Sequence, residues 1–118
     1  MEDYVKRQID MIGQMLLALA KKLGLIDGNA VSYSMQSVQD EIVEKGFNMD
    51  IDRALAEEHP VAYLVESLQL SNEAIETFTE IVMNSDVDNQ IKQRLLNDAV
   101  NYLDSKGYFS FSLHSYLS

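Results

Sequence analysis

DYVKRQIDMIGQMLLALAKKLG, residues 3–24, decides the fold. Val5, Ile9, Ile12, Leu16, Leu19 and Leu23 recur at alternating intervals of four and three, the spacing that lines one side of an α-helix. Asp3 to Leu23 therefore reads as one continuous helix, with Met11, Met15 and Ala18 widening its apolar face. Gly24 stands where a left-handed C-cap is wanted, and Lys21 and Lys22 lie near the negative end of the macrodipole. A face this wide suits a core helix within its own chain. It also suits a helix that pairs with a second copy, so a homodimer through helix 3–23 is one expectation.

Outward from this helix the same period continues. Asp27, Gly28 and Asn29 mark a turn. A second helix follows from Val31 or Ser34 to Lys45, with Met35, Val38, Ile42 and Val43 inward and Gly46 closing it. Asp50 N-caps a short helix over 51–58. Pro60 suits a first helical position and not an interior, so a new helix starts there, carrying Val61, Ala62, Leu64, Val65 and Leu68. Ser71 caps the next, whose buried side is Ile75, Phe78, Ile81 and Val82 and which ends near Asn84. Ser85 or Asp86 caps the following one, with Val87, Ile91, Leu95, Ala99 and Tyr102 inward, and Gly107 stops it. Phe109, Phe111 and Leu113 alternate with Ser110, Ser112 and His114 as in a strand. A lone strand has no partner, so the segment reads as a short closing helix or an arm on the bundle. The expected fold is all-α: a single domain over 1–118, a compact bundle of five or six helices.

The composition bounds the rest. The chain has 118 residues, 47% hydrophobic, with one Pro and five Gly. At this length folding removes roughly 65% of the extended chain's surface from water, so a core is attainable without staples. The absence of Cys removes disulfides, thiolate metal sites and thiol nucleophiles together. Nineteen acids against nine bases give a formal charge of -10, which argues against a nucleic-acid or anionic-membrane partner. The charge is uneven: residues 1–46 hold seven acids and five bases, residues 47–118 twelve acids and four bases. The apolar run Met15 to Ala20 is too short to span a bilayer, the N-terminus lacks the basic start of a secretory signal, and a cytoplasmic location is expected.

Candidate chemistry is sparse. The chain has two histidines, His59 and His114, neither with a Glu three positions before it, so the Glu-x-x-His ligand pair of di-iron bundles is missing. Asp86 and Asp88 begin like a calcium loop, but Ile91 stands where its glycine belongs. Asn48, Asp50 and Asp52 do likewise, with Arg53 at the glycine position. Both read as helix caps. Glu57, Glu58 and His59 cluster at a predicted helix end beside Pro60, where polar residues gather for ordinary reasons. His114 among Ser112 and Ser115 lacks the glycine-framed turn a nucleophile needs. No phosphate-cradling glycine motif occurs. The expectation is no catalytic residue, no cofactor and no metal.

Two features remain as candidate partner-binding elements. Glu73, Glu76 and Glu80 share one stripe of their helix, roughly opposite Phe78, within a stretch from Asp50 to Asp88 that holds ten acids and only Arg53 as base. Such a stripe is either a solvated face or a docking surface for a basic protein. Five of the ten aromatics, Tyr102, Tyr108, Phe109, Phe111 and Tyr116, crowd the last seventeen residues. They either staple the C-terminal segment to the bundle or offer a patch to a partner, with Tyr108, Phe109 and Tyr116 the named candidates.

The segment from Leu55 to Asp86 resembles one tetratricopeptide-type helical hairpin. Ala62 stands at the small position of the first helix, Ala74, Phe78 and Ile81 follow at offsets of the second, and Asp86 falls where that family often has Pro. Glu58 replaces the family's opening aromatic, Val65 its tyrosine, and Pro60 interrupts the first helix. Asp3-Tyr4, Arg7, Ile9 and Gly13 are also similar to the start of small bacterial all-helical proteins. The resemblance implies a binding module with no catalytic residues. The function expected from the sequence is a non-enzymatic protein-interaction or scaffold module; the alternative is a small enzyme or ligand binder with a Tyr- and carboxylate-lined pocket between helices.

Overall fold

Side-chain caps fix where most helices begin. The computed structural model describes residues 2–25 and 33–117, with side chains from residue 11 onward in the first of these stretches. The first helix, α1 (Glu2–Lys22), is followed by α2 (Met35–Glu44), where Ser34 accepts from the Ser37 amide at 3.1 Å. Asp50 caps α3 (Ile51–Ala56) through the Arg53 amide at 3.1 Å, and Pro60 opens α4 (Pro60–Glu66) at its first position. Ser71 caps α5 (Asn72–Met83) through the Ala74 amide, and Asp88 caps α6 (Asn89–Ser105) through the Gln90 amide at 2.8 Å. Ser110, itself buried, caps the one-turn α7 (Phe111–Ser115). The fold is all-α, with seven helices and no strand among the described residues. The count exceeds five or six because the segment after Gly107, expected as a closing helix or an arm, closes into α7. The expected turn at Asp27 to Asn29 and the start at Val31 lie outside the described residues, as do the side chains of Val5 and Ile9.

Glycine ends three of the helices by one device. Gly24, Gly46 and Gly107 have φ of +79°, +85° and +74°, the left-handed conformation that an L side chain resists. In each case the next residue's amide reaches back five residues: Leu25 to Ala20 at 3.0 Å, Phe47 to Ile42 at 3.1 Å, Tyr108 to Leu103 at 2.8 Å. Leu25, Phe47 and Tyr108 then fold their side chains against the core, which fixes the direction in which the chain leaves. The α4 terminus uses Gln69 instead, at φ +54°, the one non-glycine positive φ among the described residues.

Two helix starts are completed by aspartates from elsewhere. His59 precedes α4 but makes no side-chain cap bond, and Asp98 of α6 supplies the acceptor, taking the Val61 amide at 2.8 Å. Asp86 accepts from the Met35 amide at 3.0 Å, at the start of α2. This corrects the expectation that Ser85 or Asp86 caps α6. Ser85 is buried with its hydroxyl on the Val82 carbonyl, Asp86 serves α2, and Asp88 takes the N-cap.

The helices pack in a chain of neighbours. α5 and α6 lie together; α1 packs on α5, α4 on α6, α3 on α4, and α7 bridges α5 and α6. One continuous core runs through Leu16, Ile42, Met49, Leu64, Ile75, Phe78, Leu95, Leu103 and Leu113. Of the residues expected to widen the α1 face, Met15 is buried, whereas Met11 and Ala18 are exposed. Val43 points outward rather than inward, and Val87 precedes α6 instead of riding on it. In the segment that resembles a tetratricopeptide hairpin, Ala74, Phe78 and Ile81 are buried and Ala62 is exposed.

Asp98→Ala is expected to cost about 1–2 kcal/mol in urea unfolding, because the Val61 amide loses its acceptor and the His59 side chain does not cap α4. Asp98→Asn, which keeps an acceptor oxygen, is expected to cost clearly less; equal losses would assign the effect to packing. Gln69→Gly is expected to gain about 0.5–1 kcal/mol by relieving the left-handed backbone, and a measured loss would show that the Gln side chain is needed there.

Candidate functional site

The acidic stripe and the C-terminal aromatics fall on one face. α5 turns Ile75, Phe78, Ile81 and Val82 to the core, which sends Glu73, Glu76 and Glu80 to its outer side. Gly107 aims the following chain along that side, and contact is made at matching four-residue intervals. The Tyr108 hydroxyl donates to Glu76 Oε1 at 3.1 Å, the Ser112 hydroxyl faces the Glu80 carboxyl, and Asn84 Nδ2 donates to the Tyr116 hydroxyl at 2.9 Å. Residues 108–116 thus form a strap along residues 76–84, with Leu113 fully buried beneath it. Glu76 and Glu80 are half-covered and Glu73 stays exposed.

Electrostatics follow from this covering. Burial pushes the Glu80 carboxyl above its ordinary range, partly countered by the Ser112 hydroxyl and reinforced by Glu76. Burial, the bond to Glu76 and the surrounding acids push the Tyr108 phenol up to about 12. Among the described residues no lysine or arginine pairs with Glu73, Glu76 or Glu80; Lys22 pairs with Glu41, and His59 and His114 lie beside Asp98 and Asp104. Tyr33, which carried no sequence signal, donates its hydroxyl to the Ile81 carbonyl and ties the approach to α2 onto the end of α5. Its burial pushes the phenol well above the usual range.

Phe109 and Phe111 remain outside. They are 56% and 83% exposed, with ring centroids 4.8 Å apart edge to face, and Phe109 stacks on His114 at 4.4 Å. His114 Nε2 lies 3.3 Å from Asp104 Oδ1, so the histidine is engaged with a carboxylate rather than with Ser112 or Ser115. Of the candidates, Tyr108 and Tyr116 are staples and Phe109 is displayed; Phe111, in the same aromatic cluster but not among the named candidates, is more exposed than Phe109.

The other candidate groups are dispersed. Glu57, Glu58 and His59 are all exposed, and His59 Nδ1 lies 3.4 Å from Asp98 Oδ1 beside an open groove of about 260 Å³ that also involves Val61 and Tyr102. A second open groove of about 260 Å³ runs between α1 and α5, with Gly13 and Ala74 at its floor and Leu17, Ser71, Glu73 and Thr77 beside them. A Cβ added at Gly13 would meet that of Ala74 at 3.5 Å, an ordinary van der Waals contact, so the helix approach there does not depend on the glycine. Asp50 and Asp88, from the two calcium-loop-like stretches, act as N-caps, and among the described residues no cluster of three His, Asp or Glu is placed to hold a metal ion. No helix of the described residues is long and apolar enough to cross a membrane. Comparison with protein-family models, curated proteins and solved structures finds no match in any of the three.

A phenol whose folded pKa lies above its ordinary value near 10 favours folding while neutral and loses that contribution as pH rises from about 10 toward 12. Stability is therefore expected to fall across that window, alongside late tyrosinate absorbance. Tyr108→Phe is expected to abolish this part of the fall while costing about 0.5–1.5 kcal/mol at neutral pH through the lost bond to Glu76. An unchanged alkaline profile in the variant would show that Tyr108 is not the group responsible.

Proposed function

We propose that the chain is a non-enzymatic protein-interaction or scaffold module whose working surface is the α5 stripe with the C-terminal strap. The observation that carries this reading is the coincidence of the two candidate elements: Glu73, Glu76 and Glu80 lie on the same side of the molecule as Tyr108, Phe109 and Tyr116. Uncompensated carboxylates beside exposed aromatic rings combine charge steering with an apolar anchor, the pairing that protein interfaces use for on-rate and for affinity. The exposed positions of Glu57, Glu58 and His59 favour this reading over an enclosed pocket for a small ligand. The tetratricopeptide-like resemblance of 55–86, read in the sequence from Ala62, Ala74, Phe78 and Ile81, points the same way. A basic protein partner met in the cytoplasm fits the charge.

Affinity purification from the native host at low and high salt tests the reading. A partner should be recovered at low salt, released as salt screens the carboxylates, and lost when Glu73, Glu76 and Glu80 are changed together to Gln. A complex indifferent to both salt and the triple substitution would sink the acidic-face assignment.

We also propose a homodimer through α1 as a second mode of association, supported by Met11 and Leu17, which are 52% and 44% exposed on that helix. Light scattering coupled to size exclusion decides it: a monomer mass at tens of micromolar rules the dimer out.

A further inference from the structure

Among the described residues, the most exposed large apolar side chain is Phe111, and it stands beside a second ring, Phe109. Solvent-exposed phenylalanines cost solubility, and a contiguous pair of them marks a contact surface more often than a lone ring does. These rings are also held in place. The Tyr108 amide is bonded to Leu103 at 2.8 Å, the buried Ser110 side chain caps the Leu113 amide at 3.2 Å, and Leu113 is sunk in the core. Phe109 is further braced between the edge of Phe111 and the face of His114. The backbone carrying the pair is thus fixed before any partner arrives, which lowers the ordering cost of binding.

Area and charge select the occupant. Two partly exposed rings offer roughly 200–300 Å², far below the ~800 Å² per partner that a stable dimer buries. A second copy would also set one unpaired carboxylate row against another. The residues on either side of the rings, Tyr108 and Ser112, are those that reach Glu76 and Glu80, so the pair stands within one residue of the acidic stripe. Glu80 is half-covered without a cationic neighbour among the described residues, and a lysine or arginine arriving there would find an uncompensated charge. The ring spacing of 4.8 Å is close to the ~5–6 Å between side chains three or four apart on a helix.

We propose that Phe109 and Phe111 are the anchors of a docking site for a cationic amphipathic helix, which receives the rings between its apolar side chains and sets its lysines or arginines on Glu73, Glu76 and Glu80. This rests on the interaction-module reading and gives it a location and a partner chemistry.

Titration of the full chain with a synthetic Lys/Leu amphipathic peptide, followed by amide chemical shifts, tests it, with a Glu/Leu peptide of the same pattern as control. The Lys/Leu peptide should shift residues 108–112 and the α5 stripe, and bind at least roughly tenfold more weakly to Phe109→Ser/Phe111→Ser. Glu73→Gln should weaken binding several-fold at low salt only, and Val43→Ser, an equally exposed apolar deletion on α2, should change nothing. The double variant is expected to stay folded and unfold within a few degrees of the parent, because Phe111 is 83% exposed and only the contacts of Phe109 with Phe111 and His114 are lost. Undiminished binding to the double variant overturns the anchor assignment and leaves the module reading standing. Equal binding of the Glu/Leu peptide overturns the charge argument, and equal loss in Val43→Ser reduces the effect to nonspecific apolar contact. Failure of both peptides to bind overturns the site, and only if the native-host purification also yields no salt-sensitive complex does the module reading fall with it. A concentration-dependent rise in mass that disappears in Phe109→Ser/Phe111→Ser would make a second copy the occupant instead.

Discussion

The contact between α5 and α6 is the constraint on which the other helices depend. Ile75, Phe78, Ile81 and Val82 on one side and Leu95, Leu96, Ala99 and Leu103 on the other are all essentially removed from water. Removing that much branched and aromatic surface from solvent is the largest favourable contribution the chain can make. Once the pair forms, its remaining flanks are apolar strips that need covering. α1 covers α5, α4 covers α6, and Leu113 of α7 closes the seam across both. α3 is held through α4 and, at its start, by Gln39 of α2, which accepts from the Ile51 amide at 2.8 Å.

Helix termini impose a second demand. Each α-helix leaves amides and carbonyls without partners at its ends, and short helices have proportionally more of them. α4 is seven residues long, opens on a proline and follows a histidine that does not cap it. Asp98 answers that need from across the bundle, at the cost of placing a carboxylate in a packed region, and the α4 dipole favours it there. Asp86 does the same for α2. Part of the chain's acidity is thereby structural, so the charge available for recognition is smaller than the whole excess.

The sequence made the helical periods, the glycine stops and most N-caps legible because these depend on a few consecutive residues. Gly24, Gly46 and Gly107 all adopt the positive φ their positions demanded, and Ser71 and Asp50 cap as read. What was not legible depended on distant residues. Asp86 looked like a local cap and is claimed by Met35, fifty-one residues away in sequence. Gln69 carries no signal for a left-handed turn. Phe109, Phe111 and Leu113 alternate over too few residues to separate a strand from one helical turn, and packing against α5 and α6 decided for the turn. The stripe of Glu73, Glu76 and Glu80 was visible, but its cover was not, because the pairing of 76, 80 and 84 with 108, 112 and 116 spans thirty-two residues. The equal four-residue spacing of the two sets was the one trace of it in the sequence.

That strap also explains why two phenylalanines face water in a molecule with a well-filled core. A segment leaving Gly107 must spend Tyr108, Ser112 and Tyr116 on α5 and Leu113 on the seam, which commits one side of a single helical turn. Positions 109 and 111 are then directed outward by geometry whatever residue occupies them. A polar side chain there would keep the backbone and lose only the contacts of the rings with each other and with His114, so stability offers little reason for phenylalanine at either place. Rings at both positions, rigidly carried and next to uncompensated carboxylates, are chemistry that folding does not call for, and recognition does.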